Sequence, residues 1–341
     1  MSYRIGIVGC GFGTIAHLPA LHHHPQFDVV AIASPNTAAA AAAKHGIKQS
    51  FASCEEMLAG CDLDAVAIVS PPYAHESAVV AAVKAGKHVL CEEPFGLSVA
   101  AAQAMADAAN AAGTACGIAC DLRFVPQAGA LKALVGSGRL SPLREIKITW
   151  LRPTLRSTAE RPRGWAFERE RGGGMAGGML SHLIDQAIWL AGRSPLRSVG
   201  LTRIANPTRT DAHGLFTSST DDGAFALLDF GEGLVARLTA DGTTALHRYN
   251  CTMYGETISL AATGPNITEL KIFVTEDEGT DEIACKPSLY ERYAFNSNIP
   301  PLMEIYDEFA KKIEGQPNIL PTFEEALQTQ RVLAAIGYTV A

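Results

Sequence analysis

The chain has no long uncharged apolar run, no Cys-x-x-Cys pair, no excess of positive charge, no internal repeat and no low-complexity linker. Each absence removes a class of protein. A membrane span needs about 20 consecutive apolar residues, and none exist here. With a net charge of -7, the chain lacks the electrostatic footprint of a nucleic-acid or anionic-membrane binder. The eight cysteines are scattered, and Cys116 and Cys120 read as sharing a strand. No metal knuckle is expected from them, and a reduced, cytoplasmic setting is. The triplet His22-His23-His24 before Pro25 reads as a solvated helix end, so no metal is expected there either. The apolar run near the N-terminus reads as a first strand and not as part of a signal peptide.

What is present is an ordinary soluble composition, 48% hydrophobic and 18% charged, over 341 residues. That length accommodates two domains, each with its own core. Tyr3 to His17 is the most informative stretch. A short apolar run (Ile5, Ile7, Val8) meets a glycine-rich turn, and a helix-forming segment follows at once. Gly9 permits the sharp turn, Gly11 lets backbone approach a pyrophosphate, and the helix start offers N–H groups to an anion. The third glycine of G-x-G-x-x-G falls on Thr14, with Gly13 beside it.

Val29 to Ala33, Ala65 to Val69, His88 to Cys91 and Ala115 to Ala119 are short runs suited to buried parallel strands. Between them, Thr37 to His45, Glu55 to Ala59, His75 to Ala85 and Val99 to Ala112 read as helices ending at glycines. The alternation predicts a doubly wound α/β Rossmann domain over residues 1–122. Beyond it, Gln127 to Val135 and Met179 to Ala191 read as helices and Arg144 to Leu151 as a strand. Leu196 to Ile204, Ala224 to Phe230, Leu234 to Ala240, Arg248 to Tyr254 and Thr257 to Ala262 follow as strands, and Phe323 to Ala335 as a last helix. Residues 123–341 are therefore expected to form an α+β domain on an open, largely antiparallel sheet.

Four motifs in order resemble the Gfo/Idh/MocA family of NAD(P)-dependent oxidoreductases. They are the glycine loop ending in His17, Ser70-Pro71-Pro72-Tyr73-Ala74-His75, Gly86 to Pro94 with its Glu92-Glu93-Pro94, and Gly172-Gly173-Gly174 followed by Ser181-His182-Leu183-Ile184-Asp185. The resemblance implies a Rossmann domain, a C-terminal open mixed sheet that pairs subunits into homodimers or homotetramers, and hydride transfer between nicotinamide and a secondary alcohol. It also implies that Gly9, Gly11, Phe12, Gly13, Thr14, Ser34, Asn36, Ser70, Pro71, His75, Glu92 and Pro94 bind the cofactor. The chain departs from the family pattern at two places. A lysine is usual where this chain has Glu93, and an aspartate where it has Gly178; Leu180 also stands where a glycine is common.

Oxidising an alcohol needs a base of near-neutral pKa, and histidine meets that need. His182 is the candidate acid/base, the alternative being a packed helix histidine. Asp185, one turn later, either orients His182, binds a substrate hydroxyl or serves the core. Glu93 reverses the field a lysine would supply; it is expected to stay at the reacting group in a changed role. Six arginines lie between Arg152 and Arg171. Arg163, with Trp165 beside it, reads either as a substrate contact or as part of a solvated loop balanced by Glu160, Glu168 and Glu170. Arg123 is a substrate candidate on family position alone.

The second strand ends in Ser34-Pro35-Asn36 without the carboxylate that binds the ribose of NAD, a slight lean to NADP over NAD. The expected function is oxidoreduction of a small, sugar-like or polyol substrate across the domain cleft. Two alternatives stand beside it. One is a redox-neutral elimination or glycoside cleavage with retained cofactor; the other is a nucleotide-binding regulator that has lost catalysis.

Overall fold

The structure, a computed structural model, describes residues 2–157, 159–277 and 279–338. The chain divides into two units, Met1–Phe124 with Ser288–Leu327, and Val125–Pro287 with Gln328–Ala341. A division at residue 122/123 into two continuous domains therefore omits a return of the chain. The reason is the helix Ile299–Ile313, which follows the second unit in sequence. Its stripe of Leu302, Met303, Ile305, Tyr306, Phe309 and Ala310 is buried in one cluster with Ile5, Leu18, Leu21 and Phe27. Pro300 and Pro301 open this helix and do not break it, because the first turn has no N–H bonds to lose.

The first unit is built on six parallel strands: β1 Tyr3–Val8, β2 Phe27–Ala33, β3 Gln49–Phe51, β4 Ala65–Ile68, β5 His88–Cys91 and β6 Cys116–Ile118. Their order is β3-β2-β1-β4-β5-β6, the doubly wound arrangement. All four residues of β4 are buried, as expected for a parallel strand covered on both faces. The order reverses between β1 and β4, which opens a crevice beyond their carboxyl ends, where such sheets take ligands. The loops carrying Gly9, Ser34, Ser70, Glu92 and Cys120 all leave carboxyl ends of this sheet.

The second unit holds β7 Glu145–Leu151, β8 Arg197–Arg203, the two-stranded pair β9 Thr208–Asp211 and β10 Gly214–Thr217, then β11 Gly223–Gly231, β12 Leu234–Asp241, β13 Arg248–Tyr254, β14 Ser259–Gly264, β15 Lys271–Glu276 and β16 Gly279–Ile283. Eight strands pair in the order β16-β15-β14-β13-β7-β12-β11-β8. Only the β7–β12 ladder is parallel, so the sheet is mixed and largely antiparallel. Period-2 alternation sends Ile146, Ile148 and Trp150 to the buried face of β7, where the helix Ser181–Ala191 packs. Among the described residues no helix is long and apolar enough to cross a membrane.

Candidate active site

In the first unit the glycine turn is fixed by contacts that only glycine permits. Gly9 has φ +109°, and a Cβ there would lie 2.6 Å from the Val69 carbonyl carbon. Its N–H bonds the Ala33 carbonyl at 2.8 Å, tying the turn to β2. Gly13 takes the packing role of the missing third glycine: a Cβ on it would meet Ile7 Cγ2 at 3.0 Å. Thr14 instead turns its hydroxyl back onto the Cys10 carbonyl at 2.7 Å. The chain then makes one π turn, Gly13–His17, before the α-helix Leu18–His23. Gly11 and Phe12 are exposed at the lip, and nothing lies within 4 Å of where a Gly11 Cβ would be.

His17 ends that turn buried, its Nε2 2.6 Å from Glu92 Oε1 and its Nδ1 2.8 Å from the Tyr306 hydroxyl. Glu92 is thus held by a histidine. His75 is fully buried, with Nε2 2.7 Å from the Ser70 carbonyl and Nδ1 3.2 Å from that of Phe95. Burial pulls its pKa down, against the raising effect of these two carbonyls. The structure places His75 behind the crevice as a bracket between two loops, a position that sequence spacing does not show. Pro94 is buried, and the Glu93–Pro94 peptide is cis. Ser34 bonds Thr37 side chain to side chain at 2.9 Å, and Asn36 is exposed.

The Ser70 hydroxyl oxygen is buried without a hydrogen-bond partner. An unspent hydroxyl of this kind, with the Gly9 turn and the open lip at Gly11, fits a dinucleotide with polar groups to offer. Glu93 is half-buried and accepts the Cys120 thiol hydrogen at Oε1, 3.1 Å away. Arg123 is buried and donates from Nη1 to Glu325 Oε1 at 2.9 Å. Burial would raise the Glu325 pKa, but Arg123 and the Thr322 N–H outweigh it and hold the carboxyl down.

In the second unit, Gly172 to Gly178 forms the entry to the histidine helix. Gly174 has φ +113°, and a Cβ there would meet Asp221 Cγ at 3.0 Å. A Cβ on Gly177 would enter the ring of Tyr338, whose hydroxyl donates to the Gly172 carbonyl at 2.9 Å. A π turn, Ala176–Leu180, leads into the α-helix Ser181–Ala191. Asp221 accepts the Ala176 N–H at 2.7 Å, and the Ser181 hydroxyl donates to the Gly177 carbonyl at 2.5 Å. Burial pushes the Asp221 carboxyl up to about 6, against the lowering pull of that N–H.

His182 is half-buried on this helix, its ring 6.4 Å edge-on from Trp150. Asp185 follows one turn later, almost wholly buried. Gly178 is exposed, with no atom within 4 Å of a would-be Cβ. Arg163 is committed elsewhere: Nε and Nη2 bond the two Asp211 oxygens at 2.6 and 3.2 Å. That ion pair holds the Asp211 pKa well below the usual range. The loop is thus balanced at Arg163 by Asp211, with Glu168 paired to Arg171. Trp165 is 37% exposed in a short 3₁₀ turn. Sequence reasoning assigns no role to Trp150, Asp221 or Tyr338, each of which meets its partner only through strand order or a long sequence separation. Cys120, expected to share a strand with Cys116, lies instead in the loop after β6, which ends at Ile118.

A dinucleotide turn on a doubly wound sheet, followed by an open sheet that carries a histidine helix, defines a two-domain NAD-binding oxidoreductase. Residues 3–119 match the model of the oxidoreductase family with an NAD-binding Rossmann fold, and residues 129–261 match that of the GFO/IDH/MocA C-terminal domain. The chain belongs to the GFO/IDH/MocA oxidoreductases. It is 27% identical to an oxidoreductase of Synechocystis sp. over 96% of this chain and 91% of that one. Against the 1,5-anhydro-D-fructose reductase of Ensifer adhaerens, identity is 29% over 78% of each chain. The structure of a levoglucosan dehydrogenase complexed with NADH has the same fold, with TM-score 0.86 at 21% identity, covering 98% of this chain and 96% of that one.

Proposed function

We propose that the protein is a dehydrogenase or reductase that interconverts a secondary alcohol and a carbonyl on a small sugar-like or polyol substrate. Bound nicotinamide supplies the hydride acceptor or donor. His182 takes the hydroxyl proton as the carbon loses hydride, and returns it in reduction. The observation carrying this reading is the placement of His182 on a helix anchored by Asp221 and laid against Trp150. The sugar-derived names of the reductase and levoglucosan relatives point to the same substrate class. NAD(H) is the coenzyme, and the carboxylate-free Ser34 to Asn36 turn leaves NADP(H) tolerated, with the sequence leaning slightly toward it.

The test is appearance of reduced coenzyme with a panel of polyols and sugars. His182→Gln is expected to lower turnover by roughly 10² to 10⁴ at unchanged coenzyme affinity. Full activity in that variant removes His182 from the reaction. Glu93 and Gly178 favour a second reading, a nucleotide-binding protein without catalysis, which saturable coenzyme binding with no turnover on the whole panel establishes.

We also place this protein in a homodimer or homotetramer built through the second sheet, in the cytoplasm. Val199, Leu201 and Leu227 on its β8–β11 edge are 60%, 56% and 44% exposed, and all eight cysteines are free. Light scattering that finds a monomer rejects the assembly.

A further inference from the structure

The arginine-rich loop is the part of the sequence that the chemistry above leaves unused. Several of its arginines are matched: Arg163 by Asp211, Arg171 by Glu168 and Arg169 by the Gly337 carbonyl. Arg152 is not. It follows β7 half-buried, with its guanidinium carbon 5.8 Å from the Trp150 ring centre. Nη1 lies 3.7 Å from the Met179 sulfur, and Nε is buried without a partner. Among the described residues no carboxylate stands within ion-pair distance of it. Its charged neighbour is another arginine, Arg161, and burial together with that like charge pulls the Arg152 pKa down.

A desolvated, unpaired guanidinium opposes folding, and is understandable where a ligand brings the missing acceptor. The position is specific. Trp150, beneath Arg152, is also the ring against which His182 stands, and Met179 precedes His182 by three residues in the π turn. With Nη1 against a thioether and Nε enclosed by protein, Nη2 is the N–H-bearing corner of this guanidinium that a carboxylate oxygen can reach.

We propose that Arg152 binds a carboxylate of the substrate, so that the preferred substrates are polyhydroxy acids whose hydroxyl is served by His182. This rests on the oxidoreductase reading and narrows it. The experiment compares matched sets of a neutral hexose, its aldonate and uronate, and its phosphate, by turnover and by calorimetric titration of the NAD-loaded protein. The acids are expected to exceed the neutral sugar at least tenfold in kcat/KM. In Arg152→Gln that preference falls at least tenfold, through KM, and Arg152→Lys restores only part of it. Arg152→Met is expected to melt no lower than the natural protein, because it deletes an unpaired charge; a packing role lowers its melting temperature.

The two readings fail separately. Turnover of neutral sugars with no acid preference, or preference for the phosphate, overturns the carboxylate assignment and leaves the oxidoreductase standing. Calorimetric binding of the acids that is lost in Arg152→Gln, without turnover of any compound, supports Arg152 and overturns the oxidoreductase. Neither binding nor turnover overturns both.

Discussion

Asp221 accepts the Ala176 N–H at 2.7 Å across 45 residues of sequence, and so fixes where the His182 helix begins. The carboxylate stands at a helix start, where negative charge is favoured, yet burial outweighs that and raises its pKa to about 6. The folded protein therefore holds this proton more tightly than the unfolded chain does. The stability from protonated Asp221 is complete below the ordinary aspartate pKa and is lost as pH rises through about 6. Asp221→Asn keeps an acceptor for Ala176 and cannot ionise. Its stability relative to the natural protein is expected to rise between pH 4 and 7 by on the order of 3 kcal/mol. Urea melts across that range check it, and a constant difference shows that Asp221 is ionised in the fold throughout.

Ser70 carries a second prediction. Its hydroxyl oxygen is buried and bonded to nothing, while its backbone carbonyl is engaged by His75. Ser70→Ala removes a desolvated polar atom and no hydrogen bond, so stability is expected unchanged or raised by up to about 1 kcal/mol. If the hydroxyl waits for the dinucleotide, the same variant binds coenzyme roughly 2- to 10-fold more weakly. Fluorescence titration beside a thermal melt separates these effects. A lowered melting temperature with intact coenzyme affinity makes Ser70 a residue of the fold.

The sequence reading succeeded where one local signal sufficed. β5 was an apolar run bounded by turns, and the helix Val99–Ala112 ended at Gly113 in the left-handed conformation. The glycine turn was legible because Gly9 and Gly13 answer local steric demands. The helix Ile299–Ile313 has no counterpart among the sequence expectations although its apolar spacing is helical; Pro300 and Pro301 in its first turn blur the local signal for a helix start. β15 and β16 lie at the far edge of their sheet, and β16 is mostly exposed, so little hydrophobic alternation marks it. The Asp221 cap and the His17–Tyr306 bond join residues 45 and 289 apart, and no local pattern encodes such pairs. The Cys120–Glu93 contact was closer to reach, because β5 and β6 are neighbours in the doubly wound order.

Glu93 stands where the family resemblance implies a lysine, and its surroundings set what replacement will do. Its Oε1 accepts the Cys120 thiol hydrogen, and Cys120 is almost wholly buried. Glu93→Gln keeps the volume and an acceptor for that thiol, so the fold is expected to persist while charge and proton exchange are lost. If Glu93 works at the reacting group, turnover falls by roughly 10² to 10⁴. Glu93→Lys supplies the cation that the resemblance implies but loses the acceptor for Cys120, so alone it is expected to destabilise the unit by about 1 kcal/mol and not to raise turnover. Pairing it with Gly178→Asp adds the aspartate that the resemblance implies, at a position where a Cβ meets nothing within 4 Å. The double variant is expected to exceed Glu93→Lys in kcat if the donor arrangement implied by the resemblance can be built on this chain. Rates in all three equal to that of the natural protein remove Glu93 from the mechanism, because a charge reversal beside a reacting hydroxyl cannot leave a hydride transfer unchanged.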